Sequence, residues 1–282
     1  MYPVQTLLYY PGCSIKRDFI VVERTSKAVL EALGYKLVEI NNWYCCGGFP
    51  GVTLSEHSKY VSSLRTLTMA QMQARELGTD TVVTLCPFCY NTLKQGEQLR
   101  SIKPDMYTRV ASYLRDEFTP YQGGLRVVHF VELLYSKLSD LAKLSEGRLK
   151  GIRVAPYYGC MLLRPKSIAL DNPDNPEIIE RILRPLGAEP VKYPYRTYCC
   201  GSFHTLGEPE IVKRNTSKIA SSITSSGASI TVTPCPLCLY NLRVNTNLRV
   251  LHLSEIVAYA LNLRDFLDEE SFKILSTLRG EI

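Results

Sequence analysis

The sequence predicts an α/β protein of two homologous halves, each a small parallel sheet flanked by helices. Two observations carry that expectation. Short apolar, β-prone runs alternate with stretches of helical periodicity, and the strand–helix–strand–helix–strand–helix order of the first half returns in the second. The ten cysteines fall into two sets of five with one internal order: a lone cysteine, a Cys-Cys-Gly, then a Cys-Pro-x-Cys. Cys13 and Cys160, Cys45 and Cys199, and Cys86 and Cys235 lie 147, 154 and 149 residues apart, near-constant offsets that point to duplication.

Val4 to Tyr10 is a β-prone run ending at Pro11-Gly12-Cys13. Asp18 to Leu33 carries Val21, Val22, Ala28, Val29 and Ala32 at helical spacing, and Gly34 stops it. Lys36 to Ile40 is a second strand, residues 55–77 a helix ended by Gly78, and Thr81 to Leu85 a buried strand leading into Cys86-Pro-Phe-Cys89 and another helix. In the second half Ile152 to Tyr158, Glu189 to Tyr193 and Ser229 to Thr233 read as strands. Glu177 to Leu186 and residues 208–226 read as helices. Val128-His129-Phe-Val-Glu132 resembles Leu251-His252-Leu-Ser-Glu255, and each closes its half. The polar, glycine-punctuated segment Leu138 to Gly151 is the expected join, giving domains 1–147 and 148–282.

The chain has 282 residues, 45% hydrophobic and 21% charged, the composition of a globular protein with a sizeable core. Basic residues exceed acidic ones by 18 to 14 in residues 1–150 and by 15 to 13 in the rest. A surplus so thin and even predicts no nucleic-acid surface. Met1-Tyr-Pro-Val-Gln lacks the basic and apolar regions of a secretory leader, and no apolar run approaches the ~20 residues that span a bilayer. The expected location is therefore cytoplasmic, where thiols stay reduced and clustered cysteines mean metal or redox chemistry.

Every cysteine falls near the carboxyl end of an expected strand, where parallel sheets bind ligands and helix N-termini stabilise thiolates. Metal sites are expected at these strand ends. Pro87 and Pro236 suit the first turn of a helix. Structural zinc takes four ligands, as does an ordinary four-iron cluster. Each half offers five: Cys13, Cys45, Cys46, Cys86 and Cys89 in the first, and Cys160, Cys199, Cys200, Cys235 and Cys238 in the second. Iron–sulfur fits five thiols better than zinc does, and zinc in the first half stays open.

The double pattern of cysteine, Cys-Cys-Gly and Cys-x-x-Cys resembles the CCG-domain family, whose best-known member is the B subunit of heterodisulfide reductase. The likeness covers nearly the whole chain and includes Tyr10-Pro-Gly-Cys-Ser14, Tyr158-Gly-Cys160 and Pro194-Tyr195. It implies two non-cubane [4Fe–4S] clusters, one per half, each held by its five cysteines. It also implies electron transfer to or from a disulfide, thiol or related sulfur substrate, in a cavity shared by the clusters. Expected partners are an iron–sulfur subunit with cubane clusters and a flavoprotein. Other relatives replace the membrane anchor of atypical succinate:quinone reductases, which would make quinone the partner and give peripheral contact with the inner face of the cell membrane. A zinc-containing, non-catalytic assembly subunit is the third reading. Cys46 and Cys86 enclose 39 residues and Cys200 and Cys235 only 34, a departure from the family's usual spacing that touches the loops and not the ligands.

Beyond the cysteines, His204 is the candidate proton donor to a departing thiolate, four residues after Cys200. Lys16 and Arg164, with Arg17 and Lys166, follow the lone cysteines and would suit an anionic cluster or carboxylate substrate. His57 has no twin, and His129 and His252 read as helix-start residues. Tyr9, Tyr10, Tyr44, Tyr157, Tyr158 and Tyr198 recur beside the cysteines and would screen them from water. Asn91 and Asn241 receive no role. The tail, residues 252–278, is amphipathic through Ile256, Val257, Ala260, Leu261, Phe266 and Leu267, and reads as a closing helix or a docking face. The sequence carries no dinucleotide fingerprint or phosphate-binding loop, so electrons must come from another subunit.

Overall fold

The computed structural model describes residues 4–49, 55–117 and 119–281. Met1 to Pro3, on which part of the leader expectation rests, lie outside them. The first half runs β1 (Gln5–Tyr10), α1 (Cys13–Asp18), α2 (Ile20–Ala32), β2 (Tyr35–Glu39), α3 (Glu56–Leu77), β3 (Thr81–Thr84), α4 (Pro87–Ile102), α5 (Pro104–Leu114), β4 (Arg126–His129) and α6 (Phe130–Tyr135). The join contains α7 (Leu138–Ser145). The second half runs β5 (Arg153–Pro156), α8 (Ile178–Leu183), β6 (Glu189–Pro190), α9 (Pro209–Ser225), β7 (Ile230–Thr233), α10 (Pro236–Asn245), β8 (Val250–His252), α11 (Leu253–Ala260) and α12 (Glu269–Arg279).

Each half forms a four-stranded, wholly parallel sheet, ordered β2-β1-β3-β4 and β6-β5-β7-β8. The α/β class and the repeat are as the sequence predicts. The fourth strand of each sheet is not: Arg126–His129 and Val250–His252 are too short to show a period, and both are buried between a sheet neighbour and a helix. The helix expected over Asp18 to Leu33 forms as α2, set off from the short α1 by Phe19 (φ −125°, ψ 47°), while the one expected over Glu177 to Leu186 ends at Leu183 in a 3-10 turn containing Pro185. The strand expected over Glu189 to Tyr193 is shorter, pairing through Glu189 and Pro190 at the sheet edge, with the N–H groups of Glu189 and Val191 donating to the carbonyls of Ile152 and Val154 (2.8 Å each). Helix α3 keeps its expected limits, capped by Ser55, whose hydroxyl accepts from Ser58 N (3.4 Å), and ended by Gly78 in the left-handed region.

The halves pack with a pseudo-twofold relation. Helix α11 of the second half lies on α2 of the first, and α6 of the first lies on α8 of the second. Thr25 and Ser254 hydroxyls meet at 2.7 Å, and Arg24 donates to the carbonyls of Phe266 and Leu267. The tail therefore serves as a closing element: Ile256, Val257 and Ala260 are completely buried and Leu267 is buried, while Phe266 stays partly exposed. His129 and His252 cap α6 and α11 with matching boxes, Nδ1 accepting from Val131 N and Ser254 N while Glu132 and Glu255 accept from the histidine N–H groups. No helix among the described residues is long and apolar enough to cross a membrane.

Candidate functional site

In each sheet the chain leaves the central strand to one side and returns on the other, so β1 and β3, and β5 and β7, flank a switch point where loops diverge. The lone cysteine and the Cys-Pro-x-Cys follow those two strands, and the Cys-Cys pair follows the strand at the edge. The topology thus gathers five cysteines at one place per half. None of the ten is in a disulfide. Cys13 and Cys45 sulfurs lie 3.8 Å apart, as do Cys160 and Cys199, and Cys200 and Cys238 lie 3.6 Å apart.

Local backbone chemistry holds these positions. Cys86 and Cys235 are N-cap residues of α4 and α10, with proline following. Each sulfur faces a positive helix end, where the N–H of Cys89 helps lower Cys86 and that of Cys238 offsets part of the rise in Cys235. Gly12 (φ 75°) and Gly159 (φ 65°) occupy left-handed conformations, and a Cβ there would fall 2.8 Å from Cys89 Sγ and 3.0 Å from Cys238 Sγ. Both features exclude a side chain, so the backbone can pass close to the sulfurs. Tyr10 Oη donates to Tyr44 O (2.7 Å) and Tyr157 Oη to Tyr198 O (2.6 Å), each fixing the residue just before a cysteine pair. These two buried tyrosines are braces. Tyr44 and Tyr198 are partly exposed, and Tyr158 Oη is turned away to Glu180 and the N–H of Ile179.

The crowding of sulfurs sets their acidity. In the first site hydrogen bonds from Cys45 and Cys89 hold Cys46 well below the usual thiol range, and one from Cys89 lowers Cys86. Cys13, Cys45 and Cys89 are raised, Cys89 and Cys13 chiefly by giving their protons to neighbouring sulfurs. In the second site the bond from Cys160 lowers Cys199 to about 6, and the bond from Cys238 lowers Cys200 to about 7. Cys160 and Cys238 are raised as their partners, and Cys235 is raised by burial. Such sulfurs compete for protons, and a bound cationic centre would relieve that competition.

The two sites sit close enough that the charge of Cys86 raises Cys235. Pro87 and Phe88 of the first half line the second site. Phe203 packs its ring at 5.0 Å from Phe88 and 5.8 Å from Phe49, its positional twin, so aromatic rings occupy the seam between the sites. The cavity among the second site's cysteines measures only about 10 Å³, far below the roughly 300–1,000 Å³ of organic-ligand pockets. The donors, five thiols per half, fit a small thiophilic inorganic group better than an organic ligand.

The other expected residues lie at the rims or away. His204 starts outside the second site, its charge acting on Cys199, with Nδ1 3.9 Å from Glu208. Lys16 binds Glu39 (2.6 Å) and Glu23 (3.1 Å), not a sulfur. Arg164 and Lys166 are exposed, and Arg17 pairs with Asp18. His57 sits in the first turn of α3. Sequence reasoning missed two residues. Asn241 Nδ2 reaches Cys200 Sγ (3.5 Å) and Ser202 Oγ (3.2 Å), and Ser202 Oγ lies 3.0 Å from Cys200 Sγ. The signal was present: Asn241 follows Cys238 by three residues on one helix face, where Thr92 follows Cys89. Asn91 instead ties the halves, donating to the carbonyls of Met161 (2.8 Å) and Arg164 (2.6 Å).

A duplicated α/β chain with a five-cysteine site at each switch point is thus the class that fold and site define. The profile of the cysteine-rich CCG domain matches residues 7–94 and 154–243, and the chain belongs to this family. It is 29% identical to the 8-methylmenaquinol:fumarate reductase membrane anchor subunit of Wolinella succinogenes, over 90% of this chain and 92% of that one. It is 28% identical to an Archaeoglobus profundus protein described as like the B subunit of heterodisulfide reductase, over 96% and 94%. A third relative is the B subunit of a CoB-CoM heterodisulfide reductase of Methanosarcina acetivorans, at 25% over 90% and 89%. These relatives are subunits of multi-subunit reductases. Among solved structures, a hypothetical protein from Helicobacter pylori shares the fold with a TM-score of 0.69 at 14% identity, covering 92% of this chain, which spans about half (49%) of that one.

Proposed function

We propose that this chain is an iron–sulfur redox subunit of a multi-subunit reductase, with domains 1–147 and 148–282 each holding one cluster. Cys13, Cys45, Cys46, Cys86 and Cys89 would hold a [4Fe–4S] cluster in the first, and Cys160, Cys199, Cys200, Cys235 and Cys238 in the second. Five thiolates for four irons favour a non-cubane form over zinc, whose four-ligand shell leaves one thiolate over. When bound, such clusters accept and release single electrons. The chain's own residues supply the thiolates, exclude water through Phe88, Tyr10 and Tyr157, and keep the two sites within electrostatic reach of one another. That last relation, five sulfurs on each side of an aromatic seam, is the observation that carries the reading.

Two electron partners are in play. Kinship to the heterodisulfide reductase B subunits supports a disulfide or thiol substrate, with His204 as the candidate proton donor at the rim of the second site. The rings of Phe49, Phe88 and Phe203 in the seam favour relay to a second partner over chemistry between the clusters, and kinship to a menaquinol-linked anchor subunit supports quinone in that place. The quinone reading puts the protein at the inner face of the cell membrane through its complex, and the disulfide reading leaves it in the cytoplasm. In both, a subunit with cubane clusters and a flavoprotein would supply or remove electrons. The test is the anaerobically isolated complex, reduced with a viologen dye and offered a mixed disulfide or a short-chain naphthoquinone in turn. Oxidation of the dye by only one substrate selects that partner, and oxidation by neither overturns the redox reading.

A further inference from the structure

The pseudo-twofold relation exposes one face of the molecule that its twin keeps covered. In the first half, α4 is overlaid by the second half's chain between Cys160 and α8. Tyr90 Oη donates to the carbonyl of Ile168 (2.9 Å), and Asn91 donates to those of Met161 and Arg164. This strap runs in extended and turn conformations and presents its backbone carbonyls to the helix. The matching chain in the first half, between Cys13 and α2, is only α1 and Phe19, with no length to spare for a strap.

Helix α10, the counterpart of α4, is therefore left beside an open groove of about 360 Å³ between the halves. Its rim carries three apolar side chains that a globular surface rarely groups together. Ile20 is 60% exposed, Tyr240 48% and Val244 62%. Tyr240 occupies the position of Asn91, and Val244 that of Gln95. Arg243 sits in the same wall. Its Nε donates to Val250 O (2.8 Å), while its Nη2 and Nη1 pair with Glu255 (3.8 Å) and Glu270 (4.0 Å).

The geometry points to this groove as the seat of an extended segment of a partner subunit. Its apolar side chains would lie on Ile20, Tyr240 and Val244, over the face of α10 whose counterpart on α4 is covered by residues 161–168. The inference rests on the reading of the chain as one subunit of a larger reductase. It adds where a partner is held: one helical turn from Cys238, on the helix that carries that ligand.

A photo-crosslinking residue, p-benzoylphenylalanine, placed at position 244 in the isolated complex tests it. The expected result is one dominant cross-link, located by mass spectrometry within a short segment of another subunit. A cross-link to a second copy of this chain, to lipid or only to its own residues overturns the assignment, as does none at all, while co-isolating subunits would leave the larger reading intact. Isolation of this chain alone overturns both. Independently, Val244→Asp should weaken retention of that subunit more than about tenfold, the effect of losing an apolar anchor. Tyr113→Asp, at an exposed site on α5, should leave it unchanged, and metal content should be the same in both variants. Equal weakening by the two variants, or none by Val244→Asp, overturns the inference.

Discussion

Cys13 and Cys45 of the first site are exposed, whereas their counterparts Cys160 and Cys199 are half-buried. Around the second site Ser202 and Asn241 lend hydrogen bonds to Cys200, and Phe88 from the opposite half lines it. At the matching places the first site has Gly48, with no side chain, and Thr92, whose hydroxyl is spent on Phe88 O (3.0 Å). The cysteines, the glycines beside them and the tyrosine braces repeat; the polar and aromatic surroundings do not. On the proposed reading, duplication has kept what would hold a cluster and changed what would set its energy and its access to solvent. Hydrogen bonds to a cluster's sulfurs and solvent exposure both move its potential. The two sites should therefore be unequal electron carriers, the open first one facing an electron donor or acceptor in solution.

The largest effect that would break this comparison comes from the ligands. Cys46→Ala and Cys200→Ala should each remove about half of the iron and one of two spectroscopic signals, and not the same one. If either variant empties both sites, the halves are not independent centres.

A second effect is shared by the halves. Burial depresses His129 to about 3 and His252 to about 4, below the ~6.5 of the unfolded chain. The unfolded state therefore binds more protons, and stability contributed by neutral His129 and His252 is present above about pH 6.5 and is lost as pH falls towards 4. Each unit of depression is worth about 1.4 kcal/mol, so the slope should be steep. Denaturant melts from pH 7.5 to 4.5 should show it in the wild type and about half of it in His252→Gln. A flat profile would mean that these caps are solvated.

Steric effects come next. Gly12→Ala and Gly159→Ala each place a Cβ within 3.0 Å of a ligand sulfur in a left-handed backbone, a strain of about 1–2 kcal/mol before the sulfur moves. Gly12→Ala should lower iron retention more, its contact being the shorter. Tyr10→Phe and Tyr157→Phe each leave a carbonyl unpaired and should cost about 1–3 kcal/mol in thermal unfolding, equally in the two halves. The smallest effect sharpens the difference most. Asn241→Leu removes a donor to Cys200 and should shift the second site's potential by on the order of tens of mV, leaving the first unmoved in a redox titration.

Much of this was legible in the sequence because cysteines and glycines declare themselves at fixed spacing. Cys13, Gly12 and their twins mark the strand ends, and the topology that gathers them follows from alternating strands and helices. Where the reading failed, the determinants were long-range. Val250 to His252 is a strand only because β7 and α11 bury it, and three residues carry no periodicity of their own. Asn241 was passed over because it was set against Asn91, one position out of register, and only the fold shows that one asparagine serves a sulfur and the other a strap. Lys16 lies one turn from Cys13 in sequence, yet Glu39 from the neighbouring strand claims it.

If each half holds a polynuclear iron centre on five thiolates, anaerobically purified protein should contain roughly eight irons and no zinc per chain, with matching acid-labile sulfide and two distinguishable centres in its EPR spectrum after oxidation. Two zincs and no iron would contradict that reading.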